Sequence, residues 1–236
     1  MFPNFYIPQG GARDDYFGQV VLLLRGEGEN GSTTFVDHSS YGRSISRNGN
    51  TQMDTSKMRN GRPSIKFDAT DDWLSANDAP EFALLTSEFT FEAWLWFDTW
   101  ASDGGLADAM HNFQNWPASS WEIYFNAGVQ FSAWSTSATD YNFSGPAIPT
   151  GQWVHFALNR SGDWLRLYYN GVEQGSKDMG SGGSINNGTE PLFIGGFGLY
   201  SRNSTMNGWM SECRWTIGYG RYPSAFTPDT ADFPDQ

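Results

Sequence analysis

Cysteine is almost missing from this chain. Cys213 is the only one in 236 residues, so no disulfide can form within it. That excludes the stapled architecture of small secreted domains and leads us to expect folding in a reducing compartment. Basic residues are scarce too: 14 Lys and Arg against 26 Asp and Glu leave a formal net charge of −12 and a pI near 4.5. Such a surface repels phosphate backbones and anionic headgroups, which argues against nucleic-acid and membrane partners. No stretch holds a helical period, and no apolar run approaches the ~20 residues of a membrane-spanning helix. The start, MFPNFYIPQGG, lacks both the basic region and the apolar run of a signal peptide, so none is predicted. Without one, the sequons at Asn30, Asn142 and Asn203 are expected to be turn chemistry, not glycan sites.

What the chain does have is β-sheet language. Its 27 glycines and 11 prolines punctuate short segments, which suits many strands and tight turns. The clearest stretch is Gln152–Gly175. Val154, Phe156 and Leu158 share one face of its first strand, and Leu165, Leu167 and Tyr169 share one face of its second. Asn170-Gly171 then meets the demand of a type I′ turn for two positive φ angles. In Phe89–Phe97 the odd positions (Phe89, Phe91, Ala93, Leu95, Phe97) oppose Thr90, Glu92, Trp94 and Trp96. Two largely apolar faces predict a central strand, covered on one side by a second sheet and on the other by aromatic packing or a ligand. Further strands are expected at Val20–Leu24, Thr33–Val36, Ser44–Arg47, Ser64–Phe67, Trp73-Leu74, Trp121–Phe125, Val129–Trp134, Leu192–Gly195 and Gly208–Ile217. One helical turn is expected in Pro80–Leu85, a loop region over 100–120, and irregular coil from Tyr219 to Phe233. The sum is an all-β fold, a two-sheet antiparallel β-sandwich.

Residues 1–13 read as an N-terminal arm on a domain of residues 14–236. Phe2, Phe5, Tyr6 and Ile7 are more apolar than a free tail requires. They are candidates for assembly, either folded back on their own domain or docked on a neighbouring subunit.

The segments VVLLLRGEGENGSTTFVDHSS, IKFDATDDWL, FTFEAWLWF, QWVHFALNRSGDWLRLYYNG, LFIGG and GWMSECRWTIGYGRYPSAFTPDTADFP follow one another over about residues 14–233. In that order they resemble the concanavalin A-like, laminin-G-like jelly-roll domains, in the form recurrent in tail and other virion proteins of bacteriophages. The resemblance implies a concanavalin A-like jelly roll. Relatives of this kind can hold a structural calcium between acidic residues after the first strand and an Asp-Glu pair before the last. Glu27 and Asp37 match the earlier positions, but Ser211-Glu212 replaces the pair and removes one carboxylate. Calcium needs several oxygen ligands. No cofactor is therefore expected, and Glu27 and Asp37 are read first as turn and capping residues.

Catalysis has little to work with. Glycosidases of the wider superfamily need two carboxylates held a few ångströms apart, and no strand here carries acid–x–acid–x–acid. Glu92 and Glu122 each stand alone among aromatics. His38, His111 and His155 lack metal-pair spacing, and Cys213 reads as a small buried hydrophobe. The chain is expected not to be an enzyme. Trp100, Trp116, Trp134, Tyr141 and Tyr200, in or beside predicted loops, are the candidate ligand-binding residues, since indole and phenol rings stack on sugar faces. The resemblance implies an accessory structural protein of a bacteriophage virion (capsid decoration, tail or fibre), assembled in the host cytoplasm. Its partners would be other virion proteins, through the arm, and surface glycans, with homo-oligomers compatible. The alternative is a bacterial carbohydrate-binding module or glycoside-active enzyme of the same superfamily. A purely structural adhesion module is a third reading.

Overall fold

The structure, a computed structural model, describes residues 13–98, 107–112, 120–125, 128–133, 141–197 and 204–236. The arm candidates Phe2, Phe5, Tyr6 and Ile7 lie outside them. Along the chain run β1 (Val20–Leu24), β2 (Ile45–Asn48), β3 (Gln52–Arg59), β4 (Arg62–Asp68), β5 (Trp73–Ala76) and β6 (Phe89–Trp96). There follow β7 (Ala107–Asn112), β8 (Trp121–Phe125), β9 (Val129–Ala133), β10 (Phe143–Gly145), β11 (Trp153–Ser161) and β12 (Trp164–Tyr169). The last are β13 (Val172–Asp178), β14 (Leu192–Ile194), β15 (Gly196–Phe197), β16 (Ser204–Thr205) and β17 (Asn207–Ile217).

They form the expected sandwich. The larger sheet has the order β13-β12-β11-β6-β17-β4-β3, with β1 also on β17; the smaller has β10-β9-β8-β7-β14-β5-β2. The alternation of β6 holds throughout. Phe89, Phe91, Ala93 and Leu95 enter the core, where Trp215 of β17 stacks on Trp121 of β8 at 4.9 Å between ring centres and so joins the two sheets. Burying each such side chain contributes about 1.5–3 kcal/mol.

Three expectations are corrected. Gln52–Arg59 is a strand that no apolar run announced; it lies at the end of the larger sheet and pairs only with β4. Ala107–Asn112 is a strand inside the expected loop region. Thr33–Val36 is not a strand: Val36 makes an isolated bridge to Ser44 and Asp37 one to Leu24, Phe35 is buried in the core, and nearby Ser32 and Gly31 bond Met53 of β3. The expected helical turn is the 3₁₀ turn Pro80–Phe82.

At the β12–β13 turn, Asn170 and Gly171 have φ of 49° and 77°, as the type I′ geometry demands. A second constraint comes from the tail. Phe226 N donates to Gly171 O at 3.0 Å, and a Cβ on Gly171 would sit 1.8 Å from Phe226 O. Gly171→Ala must therefore both strain the turn and push the tail away. It is expected to lose about 2–4 kcal/mol by denaturant unfolding, whereas Gly162→Ala, with φ of 58° but open space at its Cβ, loses only about 1–2 kcal/mol.

Candidate functional site

The outward face of the larger sheet divides into rows that run across its strands. Register sets Trp153 beside Trp96, Trp96 beside Trp209, and Trp209 beside Lys66. The next row holds His155 and Trp94; the next, Ala157, Glu92 and Arg214; the last, Asn159, Thr90 and Thr216. The C-terminal segment 219–236, which has no regular structure, covers the last three rows and leaves the first.

Glu92 is fully buried beneath that segment. Its Oε1 accepts from Arg214 Nε at 2.9 Å and Nη2 at 2.7 Å. Its Oε2 accepts from Tyr222 Oη at 2.6 Å and lies 3.1 Å from His155 Nε2. Asp14 extends the network, holding Arg214 Nη1 at 3.1 Å and Arg221 Nη2 at 2.7 Å. Burial would raise the Glu92 carboxyl, but Arg214, then His155 and Arg221, hold it well below the usual carboxylate range. Tail aromatics seal the site: Tyr222 stacks on Phe226 at 3.6 Å, and Phe226 and Phe233 stand edge-on to His155. A general acid or nucleophile must reach its substrate. Glu92 cannot; it anchors the tail.

Glu212 anchors the rest of it. This residue sits at positive φ (52°), at a bulge where the β17–β6 register shifts. Its oxygens accept from Arg59 Nη1 and from Phe233 N, each at 3.0 Å, and Arg25 Nε lies 3.7 Å away. Burial, then Asp232, push Glu212 up to about 7, against Arg59, the Phe233 N–H and Arg25. Arg59 also donates to Thr230 O, and Asp232 takes Asn60 and Arg62.

The calcium candidates do other work. Asp37 accepts Leu23 N, Ser39 N, Ser39 Oγ and Arg43 N within 2.8–2.9 Å, so both its oxygens cap a turn, and Glu27 pairs with His38 at 2.9 Å. Asp68, Asp71 and Asp72 offer carboxylate atoms within 4.8 Å of one another. Asp72 spends its oxygens on Asn50 N and Asp68 N, and burial, then Asp68, raise its pKa.

Of the aromatic candidates, Trp100, Trp116, Trp134 and Tyr200 lie outside the described residues. Tyr141 is described and is corrected: at 6% exposure it belongs to the core between the sheets and offers no ring face to a ligand. Tyr16, Tyr41 and Trp164 are the exposed aromatics among the described residues, but the partly exposed tryptophans that stand together in register are those of the first row. Trp153, Trp96 and Trp209 are each half-buried. Trp96 and Trp153 meet edge-to-face at 5.8 Å, and Trp96 Nε1 donates to Asp98 at 2.7 Å. The tip of the β3–β4 hairpin leans over the row. There Lys57 Nζ lies 4.6 Å from the Trp96 ring centre and 5.5 Å from that of Trp209, and Met58 O accepts from Trp153 Nε1 at 3.2 Å. The tip leaves the sheet because β1 replaces β4 as the partner of β17 past Met210. The two chains crowd there: a Cβ on Gly26 would lie 1.7 Å from Pro63 O. Parity in β6 already turned Trp96 outward; that it would align with Trp153 and Trp209 depends on strand register, which no local pattern carries.

The family model described as concanavalin A-like lectin/glucanases superfamily matches residues 68–216. No curated protein matches the chain. Among solved structures, the binding domain of Paraclostridial Mosquitocidal Protein 1 is similar at a TM-score of 0.66 and 14% identity, over 90% of this chain and 50% of that one. The receptor binding domain of botulinum neurotoxin D has a TM-score of 0.67 at 12% identity, over 88% and 51%. A structure of botulinum neurotoxin type C, described through the dependence of its cell entry on two ganglioside molecules, has 0.64 at 12%, over 85% and 48%. The chain spans about half the length of these structures, and at such identity the likeness is one of fold.

Two stability predictions follow from the anchors. Removing one charge from a buried pair costs about 3–5 kcal/mol, so Glu92→Gln is expected to lose that much in denaturant unfolding at pH 7. Because the folded-state pKa of Glu92 is depressed, its contribution is present above its ordinary 4.5 and lost as pH falls. The variant should therefore show a shallower acid limb than the wild type. Glu212 has the opposite sign. Raised to about 7, it favours the folded state below 4.5, and that contribution is lost as pH climbs towards 7. In Glu212→Gln the decline of stability between those pH values, followed by a melting series, is expected to flatten.

Proposed function

We propose that this chain, which belongs to the concanavalin A-like lectin/glucanases superfamily, is a non-enzymatic module that binds surface glycans as an accessory component of a bacteriophage virion. The observation that carries the binding half is the row Trp153–Trp96–Trp209, partly exposed indoles held in register on the neighbouring central strands β11, β6 and β17. Rings fixed by a sheet lose little entropy when a sugar face packs on them. The fold similarity to domains named for receptor binding and for ganglioside-dependent entry supports the same reading.

The non-enzymatic half draws support from the fate of the carboxylates. Glu92 and Glu212 are sealed by arginines, and Glu122 has no second acid on its strand. For the virion the support is the phage-type motif order, together with the apolar arm. Asp14 N bonds Gln236 O at 3.0 Å, which sets the first residue after the arm beside Gln236. The arm's partners would be other virion proteins.

A glycan array probed with the whole chain tests the binding reading. Wild type is expected to bind, Trp153→Ala to lose at least about tenfold in affinity (about 1.4 kcal/mol), and Glu122→Gln to bind normally, with no hydrolysis by either. Sugar release that Glu122→Gln abolishes would instead make the chain a glycosidase. Mass spectrometry of purified particles tests the virion reading, which fails if the chain is absent from them.

A further inference from the structure

Lys57 occupies a place that a ligand would want. Its ammonium sits over the face of Trp96, the central ring of the row, and beside Trp209. Little holds it there. Its carboxylate partner Asp98, 3.3 Å away, is 55% exposed, and Lys57 itself is 26% exposed. Surface ion pairs and cation–π contacts of this kind are weak. The β3–β4 register shifts between Asp54 and Arg59, so Lys57 stands in an irregular stretch of the pair, its backbone carbonyl held by Ser64 Oγ and its side chain free of that ladder. Met58, next along, is 46% exposed. The far side of the tip is firmly held, because Arg59 is bound by Glu212 and Thr230 and lies 4.0 Å over the Trp94 ring. A swing of the Lys57 side chain alone can therefore uncover Trp96 while the hairpin stays in place.

Charge narrows what would take its place. The two lysines of the row are already paired, Lys57 with Asp98 and Lys66 with Asp54 at 3.8 Å, so the row is locally neutral on a protein of net charge −12. A carboxylated or sulfated chain would meet repulsion without a cation in compensation. A neutral pyranose offers a C–H face, and packing it on indole removes more apolar surface from water than one ammonium covers.

We propose that the row takes a neutral glycan chain laid across the strands on Trp153, Trp96 and Trp209, and that the chain binds by displacing Lys57 from the Trp96 face. Lys57 is then a built-in competitor that sets the affinity. The inference rests on the reading of the protein as a glycan-binding module.

Titration calorimetry of the whole chain against cellohexaose, laminarihexaose and mannohexaose, with sialyllactose and a heparin oligosaccharide as anionic probes, decides it. Neutral binding should be insensitive to salt and lost in Trp153→Ala, with Trp153→Phe as the substitute if the alanine variant fails to fold. Lys57→Ala and Lys57→Met should each bind roughly two- to fivefold tighter than wild type, with melting temperatures that show an intact fold. Unchanged or weaker binding by the Lys57 variants overturns the proposal, as does preference for the anionic probes with salt-sensitive affinity, or neutral binding that survives loss of Trp153. Those outcomes leave glycan binding itself standing. An absence of binding to every probe and to the array removes both.

Discussion

A carboxylate and a guanidinium buried together, Glu92 and Arg214, govern the outward face of the larger sheet. Neither can be left alone there, because stripping water from an unpaired ion costs several kcal/mol. Each is therefore fully engaged: Glu92 by Arg214, Tyr222 and His155, Arg214 by Glu92 and Asp14. Two of these partners, Glu92 and His155, belong to central strands; Asp14 and Tyr222 lie near opposite ends of the chain. The pair thus requires that Asp14 and the segment around Tyr222 lie over the sheet, and a second small core of Val20, Leu23, Trp94 and Phe233 fills the space between. Hydrophobic burial makes that covering favourable, while the ion pair and its hydrogen bonds fix its register.

Glu212 repeats the logic with a different balance. The resemblance to related jelly rolls leads one to look for acidic residues around a cation at this end of the last strand. Here the carboxylate meets two guanidiniums, Arg25 and Arg59, and a backbone N–H. An arginine brings its charge covalently attached and presents a planar fork that a carboxylate fits. With Asp37 wholly occupied in its turn, the positive charge near Glu212 comes from the protein's own side chains.

The sandwich was legible because its strands alternate. Period-2 patterning in Phe89–Trp96 and Trp153–Leu158 divides core from outward face residue by residue, and Asn170-Gly171 marks its hairpin by a local steric requirement. Polar β3 escaped for the converse reason. An end strand with one neighbour needs no apolar run, so Gln-Met-Asp-Thr-Ser-Lys-Met-Arg shows no pattern. The candidate site was less legible than the fold. Tyr141 sat beside a predicted loop and was assigned to binding, yet its ring belongs between the sheets. Trp153 was not among the binding candidates, because its partners Trp96 and Trp209 stand 57 and 56 positions away in sequence and meet it only through strand register.

The tail and the tryptophan row are two consequences of one geometry. On strand β6, outward residues Thr90, Glu92 and Trp94 are covered, and Trp96 is the next in the same alternation. Tail coverage ends where the anchors end: Phe233 bonds Glu212, and Thr230 and Asp232 bond the hairpin side chains Arg59, Asn60 and Arg62. Past that point, among the described residues, Lys57 and Met58 reach over the sheet. An apolar row of the same character as those beneath the tail is thus left with a partial cover made of a flexible side chain and a backbone carbonyl. Full cover would have made the row a core, and none would have left a larger exposed aromatic patch of the kind that promotes association. A row half-shielded by a weakly held ammonium lies between these, and it is the part of this face where a ligand can exchange for a contact the protein already makes.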